Sequence, residues 1–338
     1  MRVLLTGNHV YPASRPSSEG RVIKELPSGS AQRLQDWTAK GLAELGHDVT
    51  YYLTRRAEGP PPPGVRIVES WPTDVDVLHT HAMRENFEGE ARRRNVPYIA
   101  ALHLHPSSRG NTIPPPPEEW VYVSRWLAES FGSRRFVRNG VDPSEYVYSE
   151  TKDDYVLFMS SMDWCVEKGI DVAIALSKKI GFRLVVAGAA RTPENLEAAV
   201  RMCDEGGAEY VGDVQGSEKA DLIAGARALL HPSRYQEACP LSILEAMVSG
   251  TPVITTPWGA SAELMAPDLG FLCRTEEDYV DAFARLEEIE PRVCRERALS
   301  DFHYHRMVRD YVREYETAVG SISVDESFTT AALQPSTE

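Results

Sequence analysis

The chain has 338 residues, of which 42% are hydrophobic and 25% are charged. These proportions are typical of a globular protein, and the length is sufficient for two domains with a core each. The net charge of -14 is unevenly distributed, because residues 1–145 contain 18 Lys and Arg against 17 Asp and Glu, whereas the remainder contains 18 against 33. A nearly neutral first half and an acidic second half argue against nucleic acid as a partner and against association with a membrane surface.

The cysteines and the start of the chain indicate a cytoplasmic protein. No apolar run approaches the roughly 20 residues of a spanning helix, and the opening MRVLLTG resembles a strand rather than a signal peptide. The five cysteines are odd in number and scattered, without a C-x-x-C motif. Such usage is typical of a reducing compartment.

The first half of the chain alternates strands and helices. RVLLTG is a continuous apolar run that ends in a glycine, which predicts a buried parallel strand. A helical pattern begins near Ser30 and is followed by the strand-like HDVTYYL, which completes one unit of a Rossmann-like sheet. No G-x-G-x-x-G motif follows the first strand, so a dinucleotide cofactor is not expected.

Two further predicted strands each end in a His-x-His pair. Strand alternation places His79 with His81, and His103 with His105, on one side of each strand end, where open α/β sheets bind ligands. Four histidines could indicate a metal, but no carboxylate or cysteine accompanies them at ligand spacing. We therefore expect no metal. Each histidine is a candidate for lining a cleft, and a structural role is about as plausible for each.

The second half repeats the alternation, which predicts a second parallel sheet covered by helices. An Asn-Gly turn precedes the change, so we place one domain at 1–145 and the other at 146–303. A last amphipathic helix is predicted over 304–319. The remaining residues, 320–338, lack periodicity and are predicted to be a disordered tail.

The segment EACPLSILEAMVSG contains two carboxylates, Glu237 and Glu245, on either side of a predicted helix start. Pro240 suits the first turn and Gly250 suits the end, so the helix should run from about 240 to 249. Its free N–H groups, around Leu241 and Ser242, would attract an anionic phosphate. A phosphate between two hydroxylated rings, as in a nucleotide-sugar, fits this spacing. The alternative is an ordinary loop and helix.

The longer segment EACPLSILEAMVSGTPVITT resembles the E-x7-E signature of the GT-B retaining glycosyltransferases of family 4. The resemblance implies two Rossmann-like domains that face each other across a cleft, with the C-terminal helix crossing back to the first domain. It also implies metal-independent transfer of a sugar, with retained stereochemistry, from a nucleoside-diphosphate sugar bound by the second domain to an acceptor on the side of the first. The chain further resembles small actinobacterial members that act in oligosaccharide-antibiotic assembly, in particular the avilamycin pathway.

The resemblance assigns roles to residues outside that segment. Gly29 matches the first glycine of a Gly-Gly pair that approaches the donor diphosphate, while Ser30 departs from the second and could equally be a helix N-cap. Lys168 matches a phosphate-binding lysine. Val214 is similar to the residue beside the nucleotide base, and His103 to a histidine beside the transferred sugar.

One expected cation is missing from this pattern. Ser161 stands where the family has a phosphate-binding arginine. Either another residue, such as Arg191 or Arg234, replaces it, or affinity for the diphosphate depends on Lys168 and the helix start.

The resemblance also implies how the residues would act. Lys168 and the helix start at Leu241 and Ser242 would stabilise the departing diphosphate. Glu245 would accept hydrogen bonds from the ribose hydroxyls, and Glu237 would hold sugar hydroxyls near the reacting face. UDP is the first expectation for the donor and GDP the second.

A small soluble acceptor is expected, because the chain has little basic surface. The three other histidines are candidates for lining the acceptor cleft: His79, His81 and His105.

Two other classes of function stay open at this stage. A non-catalytic subunit that binds nucleotide-sugars would explain the missing arginine at Ser161. An epimerase or a phosphorylase of the GT-B type would keep the fold and change the chemistry. A phosphorylase would need a pyridoxal-binding lysine, for which the sequence shows no motif.

Overall fold

The computed structural model describes residues 1–7, 9, 11, 13, 30–55, 59–82, 87–103 and 117–329. Gly29 and His105 lie outside the described residues, and so do residues 330–338.

The described strands form two six-stranded parallel sheets. The strands are β1 (Arg2–Gly7), β2 (Asp48–Leu53), β3 (Val65–Val68), β4 (Val77–His81), β5 (Tyr98–Leu102), β6 (Trp120–Tyr122), β7 (Val156–Met159), β8 (Leu184–Ala187), β9 (Glu209–Gly212), β10 (Ala228–His231), β11 (Val253–Thr255) and β12 (Gly270–Leu272). The first sheet has the order β3-β2-β1-β4-β5-β6 and the second β12-β11-β10-β7-β8-β9.

Helices pack against both sheets. They are α1 (Ser30–Glu44), α2 (Phe87–Arg93), α3 (Arg125–Ser130), α4 (Ile170–Ile180), α5 (Pro193–Gly206), α6 (Gly216–Gly225), α7 (Leu241–Val248), α8 (Ser261–Leu264), α9 (Glu276–Ala284), α10 (Pro291–Asp301) and α11 (Tyr304–Thr329). The two Rossmann-like α/β domains predicted from the sequence are thus confirmed.

Each sheet reverses its strand order at one point, between β1 and β4 in the first sheet and between β10 and β7 in the second. The central strands are buried because helices cover both faces of each sheet. Their sequences are therefore mostly apolar rather than alternating between apolar and polar residues. Crevices outside the carboxyl ends of the strands at such a reversal bind ligands in open α/β sheets. Each domain therefore contributes one crevice.

The chain crosses between the domains twice. The first crossing lies between β6 and β7, and the second leads into α11, which packs against α1, β4 and β5 of the first domain. The two crossings touch, because the Val141 N–H donates to the Phe302 carbonyl at 2.7 Å and the Tyr304 N–H donates to the Val141 carbonyl at 3.0 Å. A Cβ on Gly140 would lie 2.7 Å from the Cα of Tyr304, so this close approach requires glycine.

Two helix boundaries differ from the sequence expectation. Helix α7 begins at Leu241, because Pro240 has an extended backbone and forms the N-cap. Helix α11 continues to Thr329, ten residues beyond the predicted end at Val319 and into the segment predicted to be disordered. No proline interrupts 304–329, and one interior glycine, Gly320, costs a helix only ~1 kcal/mol.

Within the described ranges, no helix is both long and apolar enough to pass through a bilayer.

His79 lies beneath α11 rather than in a crevice. Its side chain is buried, and Nδ1 lies 2.7 Å from the hydroxyl of Tyr315. The ring of Tyr311 packs on the other side, with 4.5 Å between ring centroids. Burial lowers the pKa of His79 to about 3, so the imidazole is neutral in the folded protein.

We expect the free energy of unfolding to fall as the pH falls below the ordinary pKa of this histidine, 6.5. Because the folded-state pKa is depressed, the unfolded chain binds one more proton than the folded chain between pH 6.5 and about 3, at a cost of ~1.4 kcal/mol per pH unit. Urea denaturation at about pH 7 and about pH 5 measures this slope. The variant His79→Gln cannot take up that proton and should show a flatter slope; equal slopes would contradict the assignment.

Candidate functional site

A cavity of about 680 Å³ lies between the two domains at the carboxyl edges of their sheets. From the first domain it is lined by His9, Arg33 and His103. From the second domain it is lined by the residues that follow β7, β8, β9 and β10 and by the start of α7. The cavity therefore lies where both crevices meet.

Glu237 lies in the loop between β10 and α7 and is 7% exposed. Its Oε1 forms an ion pair with Lys168, accepts a hydrogen bond from the Ser233 hydroxyl at 3.2 Å and lies 3.2 Å from His231 Nε2. Burial alone would raise the pKa of Glu237, but the charges and hydrogen bonds of Lys168 and His231 outweigh burial and lower the pKa to about 2. The carboxylate is ionised at every pH at which the protein would act.

The loop that carries Glu237 is held by the segment after β11. Gly259 has φ +63°, and a Cβ there would lie 2.5 Å from the Glu237 backbone nitrogen and 2.4 Å from its carbonyl oxygen. The next residue, Ala260, donates its N–H to that carbonyl at 2.8 Å. Glycine is needed at this position for both conformation and space.

Glu245 lies one turn inside α7 and is 2% exposed. Three donors converge on its Oε1: Arg33 Nη1 at 2.6 Å, the Tyr146 hydroxyl at 2.8 Å and Lys219 Nζ at 2.8 Å. Burial would raise the pKa of Glu245, yet Lys219 and Arg33 outweigh burial and lower the pKa. Burial in turn lowers the pKa of Lys219.

Both carboxylates share one arrangement. Oε1 of Glu237 and Oε1 of Glu245 make the contacts to the protein, while Oε2 of each accepts no hydrogen bond from any described residue. Both side chains line the cavity. One oxygen of each carboxylate is therefore anchored, and the other can receive a hydroxyl of a ligand.

The start of α7 offers backbone donors to the cavity. Pro240 at the N-cap supplies no side-chain hydrogen bond to the first turn. Leu241 and Ser242 line the cavity at this point. Uncapped N–H groups at a helix start, together with the helix dipole, attract an anion, so the structure is consistent with the expected phosphate position.

The structure separates the two candidates for the missing cation at Ser161. Arg191 lines the cavity, and its Nε donates to Asp163 at 2.8 Å while its terminal nitrogens have no partner among the described residues. Arg234 forms a bidentate pair with Asp171, at 2.8 and 2.6 Å, and does not line the cavity. Only Arg191 of these two can reach a ligand there.

The predicted histidines separate in the same way. His103 lines the cavity. His81 is buried behind it, with 4.8 Å between the two ring centroids, and does not line the cavity. His79 is locked under α11, so the structure does not support the prediction that either of these two lines the cleft.

Among the other predicted residues, Ser30 and Val214 both line the cavity. Among the described residues, no group of three or more His, Cys, Asp or Glu side chains is positioned to hold a metal ion.

Sequence reasoning missed several residues of the site, among them Arg33, Lys219 and His9. Arg33 and Lys219 hold Glu245, and His9 lines the cavity with its Nε2 2.9 Å from Asp36 Oδ1. His9 follows β1 at the strand reversal, a position that marks ligand sites, so it could have been found from the sequence. Arg33 and Lys219 carry no such signal, because each lies within an ordinary amphipathic helix.

Comparison with known proteins finds similarity to glycosyltransferases. Residues 153–288 match the family model described as "Glycosyl transferases group 1". The glycogen synthase of Deinococcus deserti is 33% identical over 169 residues, which are 45% of this chain and 36% of that protein. The chain thus spans about a third of the length of this curated relative.

Solved structures match over nearly the whole chain. AviGT4, a glycosyltransferase involved in avilamycin A biosynthesis, superposes with a TM-score of 0.71 at 25% identity, covering 94% of this chain and 98% of AviGT4. Anabaena Alr3699/HepE in complex with UDP-glucose superposes with a TM-score of 0.67 at 15% identity, covering 96% and 100%. The fold is that of the GT-B glycosyltransferases.

We predict that removing one charge of the Lys168–Glu237 pair lowers the free energy of unfolding more than removing both charges. Lys168→Met should destabilise the protein by about 3 kcal/mol, because it leaves a buried carboxylate with weaker partners. The double variant Lys168→Met/Glu237→Gln removes both charges and should recover most of that loss. Urea denaturation of the four proteins in this cycle measures the coupling. A double variant as unstable as Lys168→Met would show that the pair is not coupled.

Proposed function

We propose that this protein is a retaining glycosyltransferase that moves a sugar from a nucleoside-diphosphate sugar to a small acceptor without a bound metal or cofactor. The proposal rests on one observation: Glu237 and Glu245 lie on either side of the α7 start, and only one oxygen of each carboxylate is bound by the described residues. The cavity therefore has a site for a hydroxyl group at each carboxylate and a site for a phosphate between them.

The diphosphate would bind between the two carboxylates. The N–H groups at Leu241 and Ser242 and the ammonium of Lys168 all lie at the cavity wall. These groups stabilise the negative charge that develops as the diphosphate leaves, and they do so more strongly in a site from which water is excluded. Leaving-group stabilisation is the main catalytic contribution that we assign to the protein.

Glu245 would hold the ribose. Its free Oε2 accepts a hydrogen bond from one ribose hydroxyl, while Arg33, Tyr146 and Lys219 keep the carboxylate ionised and fixed. Glu237 would hold the transferred sugar in the same way. Since its pKa is about 2, Glu237 acts as a hydrogen-bond acceptor and stabiliser of positive charge at the anomeric carbon, not as an acid.

Arg191 would supply the second cation that binds the diphosphate, in place of the arginine that Ser161 replaces. The terminal nitrogens of Arg191, which have no partner among the described residues, can donate to a phosphate oxygen while Nε stays bound to Asp163. The acceptor would enter from the first domain, beside His103.

One observation favours the alternative of a subunit that binds nucleotide-sugars without catalysis, namely the serine at Ser161. Arg191 can take the role of the arginine that Ser161 replaces, because its guanidinium lines the same cavity.

Calorimetry and product analysis test the proposal together. At least one of UDP, GDP, ADP and dTDP should bind, equally with and without EDTA. Glu245→Gln should weaken that binding roughly tenfold, about 1.4 kcal/mol. Glu263→Gln is the matched control, because Glu263 binds the backbone N–H groups of α3 and does not line the cavity.

Proton NMR of the product formed with the matching sugar donor should then show the anomeric configuration of the donor retained. Failure of all four diphosphates to bind, or binding that requires a metal, would contradict the proposal. Binding without transfer to any of a panel of soluble sugars and alcohols would favour the non-catalytic alternative.

The arginine assignment has a matched pair of variants. Arg191→Ala should weaken binding of the diphosphate roughly tenfold, since it removes a donor from the phosphate site. Arg234→Ala also breaks an arginine–aspartate pair, but this pair lies outside the cavity and the change should leave the affinity unaltered. Equal losses in both variants would show that Arg191 acts only on stability.

A further inference from the structure

One carboxylate in the cavity has no cation beside it among the described residues. Of these residues, four carboxylates line the cavity, and the three that are ion-paired are Asp163, Glu237 and Glu245. The fourth, Asp213, forms no ion pair with any described residue. A partly buried carboxylate without a cation costs free energy unless a ligand or solvent satisfies it.

Asp213 directly follows β9 and is held in one orientation. Gln215 Nε2 donates to its Oδ1 at 2.7 Å, and no described residue donates to Oδ2. Burial raises the pKa of Asp213, opposed only by that hydrogen bond and by the more distant charge of Lys219. The group therefore presents an oxygen that lacks a protein donor.

The surroundings of Asp213 suit a flat ring. Met159, Ala187 and Val214 also line the cavity, and they stand at the ends of β7 and β8 and just after β9. These side chains are apolar, and a Cβ on the neighbouring Gly188 would lie 1.7 Å from the Ser160 carbonyl. An aromatic heterocycle can lie between such walls with its polar edge at a carboxylate.

The distance across the sheet fits a nucleotide-sugar. Strands β9 and β10 are three strand spacings apart, roughly 14 Å. Glu237 follows β10, and Asp213 follows β9. If the transferred sugar lies at Glu237 and the ribose at Glu245, the base lies at Asp213.

The edges of the bases differ in what they offer to a carboxylate. Guanine presents two adjacent donors, N1–H and the 2-amino group, which match the acceptor-only oxygens of an ionised carboxylate. Uracil presents a single N–H between two carbonyl oxygens, and those oxygens would repel the carboxylate. A site built for paired donors rejects a ligand that leaves its polar group unpaired.

We propose that Asp213 recognises the base of the donor and that this base is guanine, so that the donor is a GDP-sugar. The assignment rests on the proposed function, because it requires that the cavity bind a nucleoside diphosphate. It reverses the order of the two donors expected from the sequence, UDP before GDP.

The test is calorimetric binding of GDP, UDP and xanthosine diphosphate to the wild type and to Asp213→Asn. The wild type should bind GDP at least tenfold more tightly than UDP. Asp213→Asn should weaken GDP binding roughly tenfold and strengthen the binding of xanthosine diphosphate, because an amide offers an acceptor to N1–H and a donor to the 2-carbonyl of xanthine. Asp221→Asn, on the exposed side of α6, is the matched control and should change none of the affinities.

The outcomes separate the two proposals. Wild-type protein that binds UDP as tightly as GDP, or an Asp213→Asn variant with unaltered GDP affinity, overturns the guanine assignment and leaves the transferase proposal standing. Wild-type protein that binds none of the three diphosphates overturns both. A switch in preference from GDP to xanthosine diphosphate supports the assignment directly, since a merely structural role for Asp213 would not reverse the order of two purines.

Discussion

The buried carboxylate of Glu245 ties the two halves of the molecule together. A charge that is 2% exposed must be compensated locally, and the compensation comes from both domains: Arg33 from α1, Tyr146 from the first crossing and Lys219 from α6. Arg33 extends the network further, donating to Glu145 at 2.9 Å. One oxygen atom of Glu245 thus links α1 of the first domain to α6 and α7 of the second.

Among the described residues, the charges that line the cavity balance, which bears on how it can take up an anion. The four cations of this described lining are Arg33, Lys168, Arg191 and Lys219, and each is paired with a carboxylate. A diphosphate therefore gains little from net charge. Its binding depends on local geometry: uncapped N–H groups at the α7 start, free arginine nitrogens and the removal of water around them. This dependence explains why so many of the polar groups are fixed before a ligand arrives.

The sequence predicted what is encoded locally. Apolar runs and helical spacing predicted both sheets, and the spacing of Glu237 and Glu245 placed them on either side of a helix start. The GT-B arrangement of the two domains was implied only by the resemblance of the Glu237 segment to known glycosyltransferases. Long-range contacts could not be predicted in this way. Arg33 lies 212 residues from Glu245. Strand alternation predicted that His79 and His81 lie on one side of β4, yet it carried no information that α11, more than 200 residues later, would cover His79.

The two touching crossings at Val141 and Tyr304 have a mechanical consequence. Two covalent links at separate points would each resist a different displacement, and a single link would leave the domains free to twist. The two links lie side by side and are hydrogen-bonded to each other, with Gly140 permitting the close contact. A rotation about this point would change the distance between the cavity walls, and Arg33 on α1 would move relative to Glu245 on α7.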